Sequence, residues 1–223
     1  MASIEEKVEE HFKKELQTLK IRHYGKTEPI NQTITDALRA AASKSGGTGN
    51  NYPDIQLLLE NSTVRRIPVM IEAKGGKGKL EKLTKDGEIE LVTFYKQDGK
   101  VGKDGKPTHL AGDPNYSAVM GYAVNGALHY ANAILDAPDC KEVIAIGING
   151  TELDADGSVK DPECKAYYIS KKNNRVPKHI PELDGDWSLL KTKNLDRLYA
   201  ILDQMVLSEE EIEELTRKTE ATL

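Results

Sequence analysis

Cysteine is nearly absent from this chain. Its 223 residues include only Cys140 and Cys164, too few and too far apart for a disulfide framework or a zinc cluster. Long apolar runs are absent too, and none approaches the roughly 20 residues that cross a bilayer. The N-terminus, MASIEEKVEEHFKKEL, reads as a charged amphipathic helix without the apolar stretch of a signal peptide. These absences lead to the expectation of a cytoplasmic protein with reduced thiols and no membrane association. A Walker A loop is excluded: Gly25-Lys26-Thr27 lacks the glycine five residues earlier, and GGKGKL at 75–80 lacks the Ser or Thr. No methyltransferase motif, internal repeat or low-complexity linker is evident. Excess positive charge is also missing. The net charge of −5 opposes affinity for a polyanion, because such affinity needs Lys and Arg at the phosphates.

The charge that is present is unevenly placed. Lys74, Lys77, Lys79, Lys82 and Lys85 cluster, and Lys171, Lys172, Arg175 and Lys178 form a second group, while acid gathers at the two ends, notably in SEEEIEEL from Ser208. The apolar share, 38%, is concentrated in a few segments, which suits one large domain over 1–223. An N-terminal helix is expected within 1–24. Ile34, Ala37, Leu38 and Ala41 predict a helix over 31–43, broken by the glycines of SGGTGNNYP. Residues 75–113 read as a turn-rich insertion holding one strand, IELVTFYK at 89–96. Apolar residues from Tyr116 through Val119, Ala123, Ala127, Ala131 and Ile134 to Leu135 keep helical spacing, so one long helix is expected over 116–135, stopped by Pro138. VIAIGI at 143–148 predicts a central strand and AYYI at 166–169 another. Leu195, Leu198, Tyr199, Leu202 and Met205 predict a helix within 186–223, and Ser208 with Glu211 forms a capping box for a last one.

The most informative stretch is PDIQLLLENSTVRRIPVMIEAKG at 53–75. Folding it as an antiparallel hairpin that turns at 61–65, centred on Thr63, makes opposed residue numbers sum to 126. Asp54 then faces Glu72, and Gln56 faces Met70. Period-two alternation places Ile55, Leu57, Leu59, Ile67, Val69, Ile71 and Ala73 on one face, which must be core. Asp54, Gln56, Glu72 and Lys74 share the other face at the open end. Two opposed carboxylates repel each other. A hard divalent cation between them reverses that sign and would take carboxylate, carbonyl and water oxygens as ligands. Lys74 would lie beside the ion without coordinating it, in a constellation suited to metal-assisted hydrolysis.

Pro53-Asp54, seventeen residues, then Glu72-Ala73-Lys74 resembles the PD-(D/E)xK nuclease motif in order, spacing and strand context. The helix–strands–helix–strand order from about residue 31 to 169 resembles that superfamily's core. The resemblance implies an α/β fold with a restriction-endonuclease-like core, a mixed central sheet flanked by helices, spanning 25–170. The turn-rich insertion and C-terminal helices would be added to that core. It implies Mg²⁺, with Mn²⁺ able to substitute, held by Asp54, Glu72 and the backbone carbonyl of Ala73, while Lys74 positions the attacking water. Gln56 lies on the same face. Glu28, with Asp36 second, is the candidate for a further acid near the helix before the motif. Lys77, Lys79 and Lys82 would touch the DNA backbone.

SKSGGTGNNYPDI, PVMIEAKG and YAVNGALHYANAIL together look like the N-terminal nuclease domain of type IIG or type I restriction–modification enzymes. Asn125 and His129 hold the i, i+4 spacing of the Gln-x-x-x-Tyr pair of type I subunits, with different residues. The implied function is metal-dependent cleavage of double-stranded DNA, with a methyltransferase or motor outside this chain and a dimer on DNA. The alternatives are a stand-alone repair or recombination nuclease, and a nuclease-fold module that binds DNA or a partner without cutting. A glycine-loop nucleotide binder built on SGGTGNN is disfavoured, because the loop runs from helix to strand.

Overall fold

A computed structural model describes residues 2–44, 52–62, 64–206 and 217. In chain order the elements are α1 (Ile4–Thr18), β1 (Tyr24–Gly25), α2 (Gln32–Ala40), β2 (Ile55–Glu60), β3 (Arg66–Gly75), β4 (Thr93–Phe94) and β5 (Pro114–Asn115). There follow α3 (Ser117–Gly121), α4 (Ala123–Leu135), β6 (Glu142–Gly150), β7 (Glu152–Leu153), β8 (Val159–Lys160), β9 (Glu163–Ser170), β10 (Lys178–His179) and α5 (Leu195–Gln204).

A six-stranded sheet in the order β1-β2-β3-β6-β9-β10 organises the chain. Only β3 and β6 run parallel; the other neighbours are antiparallel. A parallel pair needs a crossover, and α4 supplies it on one face of the sheet. β6 is central and buried along almost its whole length, which is why VIAIGI carries no polar alternation. The mixed sheet flanked by helices is the α/β architecture expected from the sequence.

Two cores lie on the two faces. Ile55, Leu57, Leu59, Ile67, Val69, Ile71 and Ala73 pack with Val8, Phe12 and Leu16 of α1, with Trp187, and with Leu198 and Leu202 of α5. On the opposite face Met70, Ala145 and Ile169 meet Leu128, Ala131 and Ile134 of α4 and Ile34 and Leu38 of α2. Asn31 caps α2 by accepting the Ile34 N–H at 2.9 Å.

Two expectations need correction. The helix over 116–135 is broken at Tyr122, whose extended backbone (φ −133°, ψ 140°) separates α3 from α4. The break persists because the insertion caps the new start: Ala123 and Val124 donate to the carbonyls of Lys79 and Leu80 at 2.9 and 2.8 Å. The strand over 89–96 shrinks to Thr93–Phe94, with one isolated bridge between Ile89 and Leu83. Ile89 and Leu91 both pack towards α4, and the Glu90 carbonyl accepts the Asn125 side chain instead of a strand partner. The first half of the insertion is therefore docked on the core. The glycine loop at 45–51, Thr63 at the hairpin turn and the Ser208–Glu211 capping box lie outside the described residues. Both cysteines are free, and no helix among the described residues is long and apolar enough to cross a membrane.

Candidate functional site

The hairpin has the expected register. Ile55 pairs with Ile71 and Gln56 with Met70, and the ladder continues to Glu60 opposite Arg66. Asp54 lies one residue beyond the ladder. Its Oδ2 accepts the Ala73 N–H at 2.7 Å, so a carboxylate takes the place of the next strand carbonyl. In a strand the N–H and C=O of one residue point the same way, so the Ala73 carbonyl turns to Asp54's side as well.

Glu72 is buried beneath α4, with 1% of its surface exposed. Two glycines admit the helix there. A Cβ on Gly126 would come within 3.1 Å of the Glu72 Cγ, and one on Gly147 would meet Val124 of α4. Glu72 Oε1 is paired with Lys44 and lies 3.3 Å from the Lys74 ammonium. Its Oε2 is buried and has no hydrogen-bond partner among the described residues. Burial, and then the negative charge of Asp54, push the Glu72 carboxyl above the usual range, against the pull of Lys44 and Lys74. Burial disfavours charge on Lys74, but Glu72, Glu5 and Asp54 together outweigh it and hold the ammonium above its ordinary value.

The residues around α2 close the site. Lys26, before α2, lies 2.8 Å from Asp54 Oδ1 and 3.2 Å from Glu9 of α1, and Lys44, after α2, reaches Glu72. Burial works against charge on Lys26, but the bond to Asp54 raises it well above its normal value. Glu5 of α1 lies 3.4 Å from Lys74. A Cβ on Gly75 would strike the Glu5 backbone, so that glycine lets α1 approach. Lys26, Lys44 and Glu5 escaped the sequence reading because they lie on separate elements with no fixed spacing to the motif.

Other candidates are placed elsewhere. Glu28 is exposed and closes a local turn through the Gly25 N–H at 2.8 Å, and Asp36 is exposed and bonds Gln32. Gln56 is buried and reaches the Gly25 carbonyl at 3.5 Å. Asn125 is spent on backbone, accepting from Lys82 N–H and donating to the Lys82 and Glu90 carbonyls. His129 contacts the Ala42 carbonyl at 2.8 Å. The helical positions that meet the carboxylates are one residue further on. Gly126 abuts Glu72, and the Tyr130 hydroxyl is raised by burial and by the charges of Glu72 and Asp54. Lys77 and Lys79 are exposed, whereas Lys82 pairs with Glu90 at 2.8 Å.

The donor set fits a hard divalent cation: two carboxylates on one side of a hairpin, a carbonyl turned to Asp54's side, and one buried carboxylate oxygen without a partner among the described residues. Lys26 and Lys44 supply positive charge at the same carboxylates.

No family model and no solved structure matches the chain. Over 190 residues it is 26% identical to the type II restriction enzyme and methyltransferase RM.BcgI of Heyndrickxia coagulans, a similarity covering 84% of this chain and 24% of that protein. The chain thus spans about a quarter of the length of the relative it matches.

Proposed function

We propose that this chain is a metal-dependent DNA endonuclease domain of the PD-(D/E)xK type, acting within a restriction–modification enzyme. The observation that carries the reading is the geometry of Asp54, Glu72 and Lys74: two carboxylates on one face of the hairpin, one with a buried oxygen unpaired among the described residues, and a lysine 3.3 Å from Glu72. The similarity to a restriction enzyme and methyltransferase adds independent support.

In this reading Asp54, Glu72 and the Ala73 carbonyl hold Mg²⁺ or Mn²⁺. A bound divalent cation supplies Lewis-acid polarisation of a phosphate oxygen and acidifies water. Lys74 orients the attacking water by hydrogen bonding and offsets negative charge that builds on the phosphate in the transition state. The Ala73 N–H fixes the Asp54 carboxylate, and Tyr130 and α4 exclude bulk solvent above Glu72. The exposed lysines Lys77 and Lys79 contact the backbone of double-stranded DNA, adding affinity without reading sequence. Other domains of the same enzyme, a methyltransferase among them, would hold the target, which reconciles a net charge of −5 with DNA cleavage. Cutting both strands requires two such sites, hence a dimer on DNA.

The test is cleavage of plasmid DNA in Mg²⁺ by the whole enzyme. Asp54→Ala and Lys74→Ala should each lower the rate by about 10²–10³ or more, with circular dichroism showing that the fold is kept. Full cleavage by folded Lys74→Ala protein would rule the mechanism out.

A further inference from the structure

A cleft of about 480 Å³ that the hydrolytic machinery does not use is lined in part by Lys44, the residue that also pairs with Glu72. One wall comes from the arm between β4 and β5, with Tyr95 and His109. The other comes from the start of α3, with Tyr116, Ser117 and Met120. The Tyr95 and His109 rings are stacked, with centroids 3.5 Å apart and planes at 16°. The stack is built against backbone, since a Cβ on Gly99 would come within 2.7 Å of the His109 ring. Tyr116 is steadied by the His129 ring, edge-on at 6.2 Å. Met120 remains 53% exposed, an uncovered apolar side chain on the wall facing the stacked rings.

We propose that this cleft receives a nucleobase of the strand being cut, drawn out of its stack next to the scissile phosphate. The inference rests on the nuclease reading and adds a contact to it. Aromatic rings with a polarisable thioether opposite form a stacking platform that accepts any base. Thr108 and Ser117 are among the residues that line the cleft, and the Thr108 hydroxyl also contacts His109 Nδ1 at 3.3 Å. The arm exposes Lys96, Lys100, Lys103 and Lys106; against them stand Asp98, Asp104 and the cleft-lining Asp113, which accept the backbone N–H groups of Ala111, Lys106 and Leu110. Lys44 lines the cleft and pairs with Glu72, so one side chain belongs to both sites.

The test uses single-stranded oligodeoxynucleotides carrying 2-aminopurine, bound in EDTA so that no cutting occurs. The whole enzyme, as wild type and as the Asp54→Ala variant, should quench the 2-aminopurine emission. Tyr95→Ala and His109→Ala should bind about 5- to 100-fold more weakly and lose the quenching, and Tyr95→Phe should retain it. Binding without quenching, alanine variants that quench like wild type, or no binding by the whole enzyme would each overturn the proposal. Metal-dependent cleavage that still requires Asp54 would then leave the nuclease reading standing.

Discussion

The two ends of the β2–β3 hairpin both carry charge, and they use it in opposite ways. At the turn end Arg65 makes a fork to Glu142, Nε to Oε1 at 2.8 Å and Nη2 to Oε2 at 2.7 Å. The Tyr168 hydroxyl donates to the same carboxylate at 2.7 Å, Asp203 takes the remaining side of the guanidinium, and the cation lies 4.6 Å from the Tyr199 ring centroid. Both Glu142 oxygens are satisfied. At the open end Glu72 is more deeply buried, yet one of its oxygens has no partner among the described residues, and a second carboxylate stands close enough to oppose its ionisation. A closed network holds β3, β6, β9 and α5 together. The open end already has the ammonium groups of Lys44, Lys74 and Lys26 at its two carboxylates, yet it leaves one Glu72 oxygen unpaired among the described residues, which costs stability.

The comparison can be broken most directly at Glu72. Glu72→Gln should abolish Mn²⁺ binding by isothermal titration, at least about 100-fold in affinity. In the absence of metal the same variant should be as stable as wild type or more so, by up to about 2 kcal/mol. The sign follows from the raised carboxyl: the folded state holds the proton more tightly than the unfolded chain, so ionising Glu72 weakens the fold. The stability gap between variant and wild type should be absent below about pH 4.5, the ordinary carboxyl value, and widen as pH rises. A gap independent of pH would show that Glu72 is as well satisfied as Glu142.

Arg65→Ala should do the reverse, leaving metal binding intact while lowering stability by about 2–3 kcal/mol in urea unfolding. It strands a largely buried carboxylate, left with the Tyr168 hydroxyl as its donor. Wild-type stability in that variant would mean that the turn-end network is ornamental. A smaller effect is expected from Gly126→Ala, whose methyl would lie 2.9 Å from the Val119 carbonyl and 3.1 Å from the Glu72 Cγ. It should cost about 1–2 kcal/mol and weaken Mn²⁺ binding by tilting α4 off the carboxylate.

How much of this was legible depended on how local the cause was. Alternation of Ile55, Leu57 and Leu59 against Ile67, Val69 and Ile71 assigned both faces of the hairpin, and counting across the turn placed Asp54 against Glu72. Helix α2 and the central strand β6 were equally open, because periodicity and continuous burial leave direct marks in sequence. The break at Tyr122 was not legible, since the apolar spacing runs through it and its cause is a cap from residues 79–80. Nor was the rotation of α4. Asn125 and His129 have attractive side chains at helical spacing, but the face that meets Glu72 belongs to Gly126, chosen for having no side chain at all.

The sequence by itself determined the strand register, the shared face of Asp54, Glu72 and Lys74, and the mixed α/β class, because period-two geometry converts residue number into side. Only the tertiary structure decided which charges surround that face. Lys26, Lys44 and Glu5 arrive from the two turns around α2 and from α1, whose approach is set by packing on the two cores, and no spacing rule in the chain encodes such distances.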